Sequence, residues 1–143
     1  MLIPPNIYIK DTGTAKGRGV FAAKAFSNGE IIEICPVVLF QMHYNSLPKA
    51  IKTLVFDWEI LAGKRRTHAL ALGYGSFYNH SNPANLRYEA DSVNDLLRLI
   101  AVRDIDADQE LTINYCAEGG AAVSDEENDN RWFEDKKIKL IID

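Results

Sequence analysis

The chain has 143 residues and a net charge of −4, with 47% hydrophobic and 25% charged residues, proportions that fit one ordinary globular domain and exclude a disordered tail. Apolar runs such as 37–40 and 96–102 are short and interrupted, far from the ~20 residues that a membrane-spanning helix needs. The opening MLIPPNIYIKD carries no basic start and no continuous apolar stretch, so an intracellular protein is expected rather than a secreted one.

The predicted elements are mostly strands. IYIK (7–10) is a strand, DTGTAKGRG a glycine-punctuated loop, and VFAAKAF (20–26) a second strand. SNGE (27–30) is a tight turn, and IIEICPVVLF (31–40) a long strand that Pro36 must bend, bulge or place at an edge. From Ser46 the period changes. Leu47, Ile51, Leu54, Val55, Trp58, Leu61 and Ala62 fall at three- and four-residue steps, predicting the one main helix, with Ser46 as N-cap and Gly63 as terminator. The basic KRR (64–66) reads as a solvated patch rather than a nucleic-acid surface.

THALALG (67–73) reads as a buried strand running into GYGSFYNHSNPAN (73–85), whose short hydrogen-bonding side chains suit neither a regular helix nor a central strand. NLRYEAD and LLRLIAV pair as a hairpin through SVND, and RDIDADQE is an acidic turn. ELTINY (110–115) alternates Leu111, Ile113 and Tyr115 against Thr112 and Asn114, which predicts a strand with one buried face. CAEGGAAVSDEENDN (116–130) is a small-residue, acidic loop, and Asp125, Glu126, Glu127 and Asp129 in it account for the whole net charge. RWFEDKKIKLIID closes the chain with Trp132 and Phe133, either a core pin or a lid.

Cys35 and Cys116 share no C-x-x-C spacing, and His43, His68 and His80 show no ligand spacing, so neither a disulfide framework nor a metal is expected.

Three pieces carry chemistry in a fixed order: Gly17-Arg18-Gly19 opening a strand, Asn79-His80-Ser81 followed by Asn85, and Glu110-Leu111-Thr112 followed by Tyr115. Together they resemble the SET-domain family of protein lysine methyltransferases, in the minimal stand-alone form of viral and bacterial members. Pro83 stands one position early for the family pattern, Asn114 replaces a frequent aspartate, and the cysteine-rich segment that closes the site in many relatives is missing. The resemblance implies a mainly β, β-clip-like fold, with several short curved sheets, one main helix and a knot-like C-terminal threading. Residues 1–143 would form a single SET domain, with 116–143 as a loop and C-terminal lid.

The same resemblance implies S-adenosylmethionine as cofactor, held by Lys16, Gly17, Arg18, Gly19, Tyr78, Asn79 and His80 and covered by Trp132 or Phe133. Tyr115 would be the catalytic side chain and would also touch substrate, with Tyr74 and Phe77, and with Tyr78, as aromatic walls that suit a cationic lysine stem. Ser81 and Asn85 would hold the loop's own backbone. Glycines at 17 and 19 would let main chain approach the ligand closely. The nucleophile is a neutral amine, yet a lysine of pKa ~10.4 is only ~0.1% neutral near pH 7.4. Desolvation and a neighbouring positive sulfur both favour the neutral form. The expected partner is a basic protein or peptide, a histone or another nucleic-acid-associated protein, with no direct nucleic-acid contact. The compartment is then cytoplasmic or nuclear, host chromatin included, and minimal members can form homodimers. A non-catalytic module of the same fold that only binds peptides is the alternative.

Overall fold

The computed structural model describes residues 4–115, where branched and aromatic runs fold into short strands arranged as two sheets. Strands β1 (Ile7–Asp11), β2 (Arg18–Ala22), β6 (Asn79–His80) and β9 (Glu110–Ile113) form the first, in the order β1-β2-β9-β6. The second contains β3 (Ile31–Gln41), β4 (Val55–Asp57), β5 (Thr67–Ala71), β7 (Leu86–Asp91) and β8 (Leu96–Ala101), in the order β4-β5-β3-β8-β7. Neighbours run antiparallel except β6 and β9, which are parallel. The mainly β architecture expected from the sequence is therefore present. The expected C-terminal threading and the lid over 116–143 lie outside the described residues.

Pro36 explains how β3 serves two neighbours. Ile31–Pro36 pair with β8, whereas Val37–Gln41 pair with β5. Proline lacks an N–H and cannot complete a ladder on its donor side, so it sits where one pairing gives way to the other, its carbonyl accepting from Leu72 at 2.9 Å. Both sheets feed one core: Val20, Leu111 and Ile113 from the first meet Ala69, Leu97 and Leu99 from the second. Each fully buried leucine contributes about 1.5–3 kcal/mol.

Two expectations fail here. The helix predicted from Ser46 is replaced by a 3-10 turn (Tyr44–Ser46), a one-turn helix α1 (Lys49–Lys52), strand β4 and a short helix α2 (Trp58–Ala62). The three- and four-residue spacing marks only some core-facing positions, since Leu47 and Trp58 are buried while Leu54 is exposed. Yet Val55, Phe56 and Asp57 find partners in Leu70, Ala69 and His68, and that pairing overrides the helical pattern. Asp57, not Ser46, is the N-cap of α2, accepting from the Glu59 and Ile60 amides, while Gly63 terminates it at φ 70°. The strand predicted over 20–26 ends at Ala22, and Phe26 rejoins the fold through a single bridge to Ile105.

Replacing the exposed cap, Asp57→Ala, should cost about 1 kcal/mol. A thermal melt is expected to fall by a few degrees with strand content in circular dichroism unchanged.

Candidate active site

The three motifs converge because β9 lies between β2 and β6. Asn79 pairs with Thr112 and His80 with Ile113 in the parallel register, and Ser81 N–H continues it by donating to Ile113 carbonyl at 3.0 Å. The other edge of β9 pairs Val20 with Leu111 and Phe21 with Glu110. Strand β9 therefore pairs with both β2 and β6. Leu111, Thr112, Ile113 and Asn114 are all buried, which corrects the expectation of a strand with one buried face. Apolar and polar positions do alternate, but the polar ones face a hydrogen-bonded interior.

Asn85 supplies that interior. Its amide nitrogen donates to Glu110 carbonyl at 2.8 Å, and its amide oxygen accepts from Thr112 N–H at 2.8 Å. These bonds reach across to β9 rather than closing the loop on itself, so the expectation that Asn85 holds its own loop is replaced by a longer-range role. Ser81 does act locally, its hydroxyl donating to Pro83 carbonyl at 3.2 Å.

At the end of β9 the chain places Tyr115 against the Asn-His-Ser segment. The Tyr115 phenol donates to Tyr78 carbonyl at 2.5 Å, its main-chain N–H donates to His80 Nδ1 at 3.1 Å, and the two rings lie 5.3 Å apart. Accepting that bond leaves Nδ1 with its lone pair, so Nε2 is the nitrogen left to donate. Burial, then the charge of Glu110, pushes the Tyr115 phenol up to about 12. The group is therefore a neutral hydrogen-bond donor at physiological pH, not a base.

The glycine turn takes two roles. Gly17 has φ 74°, a conformation suited to glycine, and a Cβ there would meet nothing within 4 Å, so its face is open. Gly19 is different, because a Cβ on it would overlap Glu110 Oε2 and stand 2.9 Å from Asn79 Nδ2. Its missing side chain makes room for the bond from Asn79 Nδ2 to Glu110 Oε2 at 2.9 Å, and the same nitrogen donates to Arg18 carbonyl at 3.1 Å. Lys16 ties the turn to the loop, its amine donating to His80 carbonyl at 2.9 Å.

The aromatic candidates separate. Tyr78 is turned into the core, 1% exposed, with its phenol donating to Glu33 at 2.7 Å. What it presents to Tyr115 is its carbonyl, not its ring. Phe77 is exposed, and the Arg18 guanidinium lies over its face at 5.4 Å. Tyr74 is partly buried against the core, with its N–H on Glu33 at 2.9 Å. Trp132 and Phe133 lie outside the described residues.

Glu33 is the polar residue that sequence reasoning missed. The available signal was one charged side chain inside the apolar run IIEICP, which a half-exposed strand would explain equally well.

Residues 17–116 match the SET domain family, and the chain belongs to that family. Over 138 residues it is 31% identical to an H3 lysine-37 specific histone-lysine N-methyltransferase of Schizosaccharomyces pombe, covering 94% of this chain and 82% of the relative. A crystal structure of a candidate histone methyltransferase from Plasmodium falciparum superposes with a TM-score of 0.63 at 29% identity, over 79% of this chain and 95% of that one. A chain of an active polycomb repressive complex 2 in its basal state shares the fold, with a TM-score of 0.65 at 18% identity, over 82% of this chain and 17% of the other.

The raised Tyr115 phenol fixes a direction with pH. Its folded value lies above the ordinary 10.0 of a tyrosine, so the stability that it contributes is intact below pH 10 and is lost as pH rises from about 10 to about 12. An ultraviolet difference titration against Tyr115→Phe should show this phenol ionising near 12, and that variant should lose less stability across the interval.

Proposed function

We propose that this protein-lysine N-methyltransferase takes its methyl group from S-adenosylmethionine and delivers it to the ε-amine of a lysine in a basic protein, with histones as the first class to test. One observation carries the reading: the Tyr115 phenol, the His80 ring and the Tyr78 carbonyl meet at one place, drawn from segments more than thirty positions apart.

The residues present fit the cofactor. Gly17 opens onto free space, Lys16 and Arg18 provide cations beside it for a carboxylate, and the main-chain carbonyl at Tyr78 suits a positively charged sulfur. When bound, it would supply a sulfonium methyl to the amine lone pair, with the C–S electron pair left on sulfur and the amine's proton lost to water.

The chain's own contribution is positioning and desolvation. The neutral amine is scarce at neutral pH, a deficit of roughly 4 kcal/mol, and a water-poor pocket with a neighbouring positive charge reduces it without a protein base. Tyr115 matches that account, since its raised phenol stays protonated and can only orient. A carbonyl has two lone pairs, so Tyr78 carbonyl can hold the phenol and still face the reacting methyl. Holding the reactants in line accounts for much of the acceleration. The acidic segment 124–130 and the aromatic pair Trp132 and Phe133, all outside the described residues, are assigned to attracting a basic peptide and covering the cofactor.

Calorimetric titration with S-adenosylmethionine should show binding, and labelled methyl should pass to core histones. Tyr115→Phe is expected to lose about 10²-fold or more in kcat while cofactor affinity changes less than about threefold. Binding without transfer to any basic protein would favour the peptide-binding alternative, and absence of cofactor binding would remove the reading.

A further inference from the structure

Of the polar groups that the proposed chemistry does not use, one is buried, ionisable and attached to the site from below. Glu33 lies in β3, 6% exposed, directly after the buried Ile32. In a regular strand these two side chains would point to opposite faces. A register shift between Ile31 and Glu33 opposite β8 provides the extra residue, and a bulge of this kind re-aims a side chain. Here it turns a carboxylate into the interior.

That carboxylate grips both ends of one short segment. Oε2 accepts from the Tyr74 N–H at 2.9 Å, and Oε1 accepts from the Tyr78 phenol at 2.7 Å. The segment is fitted to it, because Gly73 sits at φ 67° and a Cβ there would overlap Glu33 Oε2. Gly75 is packed equally closely, as a Cβ on it would overlap the Ala71 side chain and stand 2.9 Å from Cys35 Sγ. Burial, followed by the Glu33 charge, raises the Tyr78 phenol well above the ordinary tyrosine range, so the phenol keeps its proton for this bond. The same residue, through its carbonyl, accepts from the Tyr115 phenol.

We propose that Glu33 is a positioning residue for methyl transfer: by holding Tyr74 and Tyr78 it fixes the carbonyl on which the Tyr115 phenol rests. The inference builds on the proposed methyltransferase reading, but its geometric half can be tested without turnover. A buried carboxylate is costly unless hydrogen-bonded, and an apolar residue would fill β3 more cheaply. What the apolar residue could not do is accept from both ends of the 74–78 segment at once.

The test compares Glu33→Gln and Tyr78→Phe with Trp58→Phe, a change at a fully buried residue of α2 that hydrogen-bonds to neither Glu33 nor Tyr78. Each variant is examined by thermal melt, by steady-state kinetics with core histones, and by the ¹³Cζ resonance of Tyr115 in tyrosine-labelled protein, which reports the phenol's hydrogen bond. Glu33→Gln keeps the shape but offers one acceptor and one donor where two acceptors are needed. Tyr78→Phe keeps the ring and removes the phenol. Both are expected to lower kcat by about ten- to a hundredfold, to leave KM for S-adenosylmethionine within about twofold, and to shift the Tyr115 resonance. Trp58→Phe should lower the melting temperature without either change.

If the Glu33 and Tyr78 variants behave like Trp58→Phe, destabilised but with kcat and the Tyr115 resonance unmoved, the inference is overturned. Should Glu33→Gln fail to fold, Tyr78→Phe decides alone. Should the parent protein transfer no methyl, the functional reading fails separately and the resonance decides this one: a shift supports it and none rejects it.

Discussion

The side chain of Asn85 bonds to β9 as a strand would. It donates to Glu110 carbonyl and accepts from Thr112 N–H, the two groups that a residue of a parallel neighbour would use to flank Leu111. A parallel pair cannot be closed by a tight turn and needs a long connection, here occupied by β7 and β8, so β6 and β9 gain nothing from proximity in sequence. Their two-residue ladder, Asn79 to Thr112 and His80 to Ile113, is short for the ordering that it imposes. Asn85 adds two side-chain bonds to β9, at Glu110 and Thr112, and buried as it is, 6% exposed, that amide has no water to return to. The site depends on this junction, because β9 delivers Tyr115 and β6 delivers His80.

A second consequence is that the polar residues around the site are also part of the interior. Thr112, Asn85 and Glu33 are all buried, and their bonds run to main chain or to side chains across distant segments. Such bonds contribute modestly when made and cost about 1–3 kcal/mol each when one partner is removed. Satisfied polar interiors specify one arrangement more sharply than apolar packing does. The same carbonyls and amides that hold the loops therefore fix where the Tyr115 phenol points, so fold and site are not separable in this region.

How much of this was legible in the sequence differs by element. Strand runs such as Ile7–Asp11 and the Leu86–Asp91 and Leu96–Ala101 hairpin follow from local composition and turns. The helix predicted from Ser46 was not realised, because the spacing finds inside residues such as Leu47 and Trp58 but not what the backbone does between them. The partners that turned Val55–Asp57 into a strand lie in β5 and leave no local trace. The motif residues were legible as a set, by resemblance, whereas their division of labour was not. Gly19 as space for an Asn79–Glu110 bond, Tyr78 as a carbonyl rather than a ring, and Glu33 as an inward carboxylate after a bulge are all facts of register. Period-two reasoning cannot register a bulge that adds one residue.

The convergence of β6 and β9 is most directly tested by amide hydrogen exchange in Asn85→Ala. If the Asn85 amide holds these strands together, the N–H groups of Thr112 and Tyr115 will lose protection together, although Asn85 touches only the first, while Leu97 and Leu99 in β8 keep theirs. Loss of protection at Thr112 with Tyr115 unchanged would mean that Tyr115 is held against His80 independently of this clamp, and would contradict the dependence of the site on the Asn85 junction.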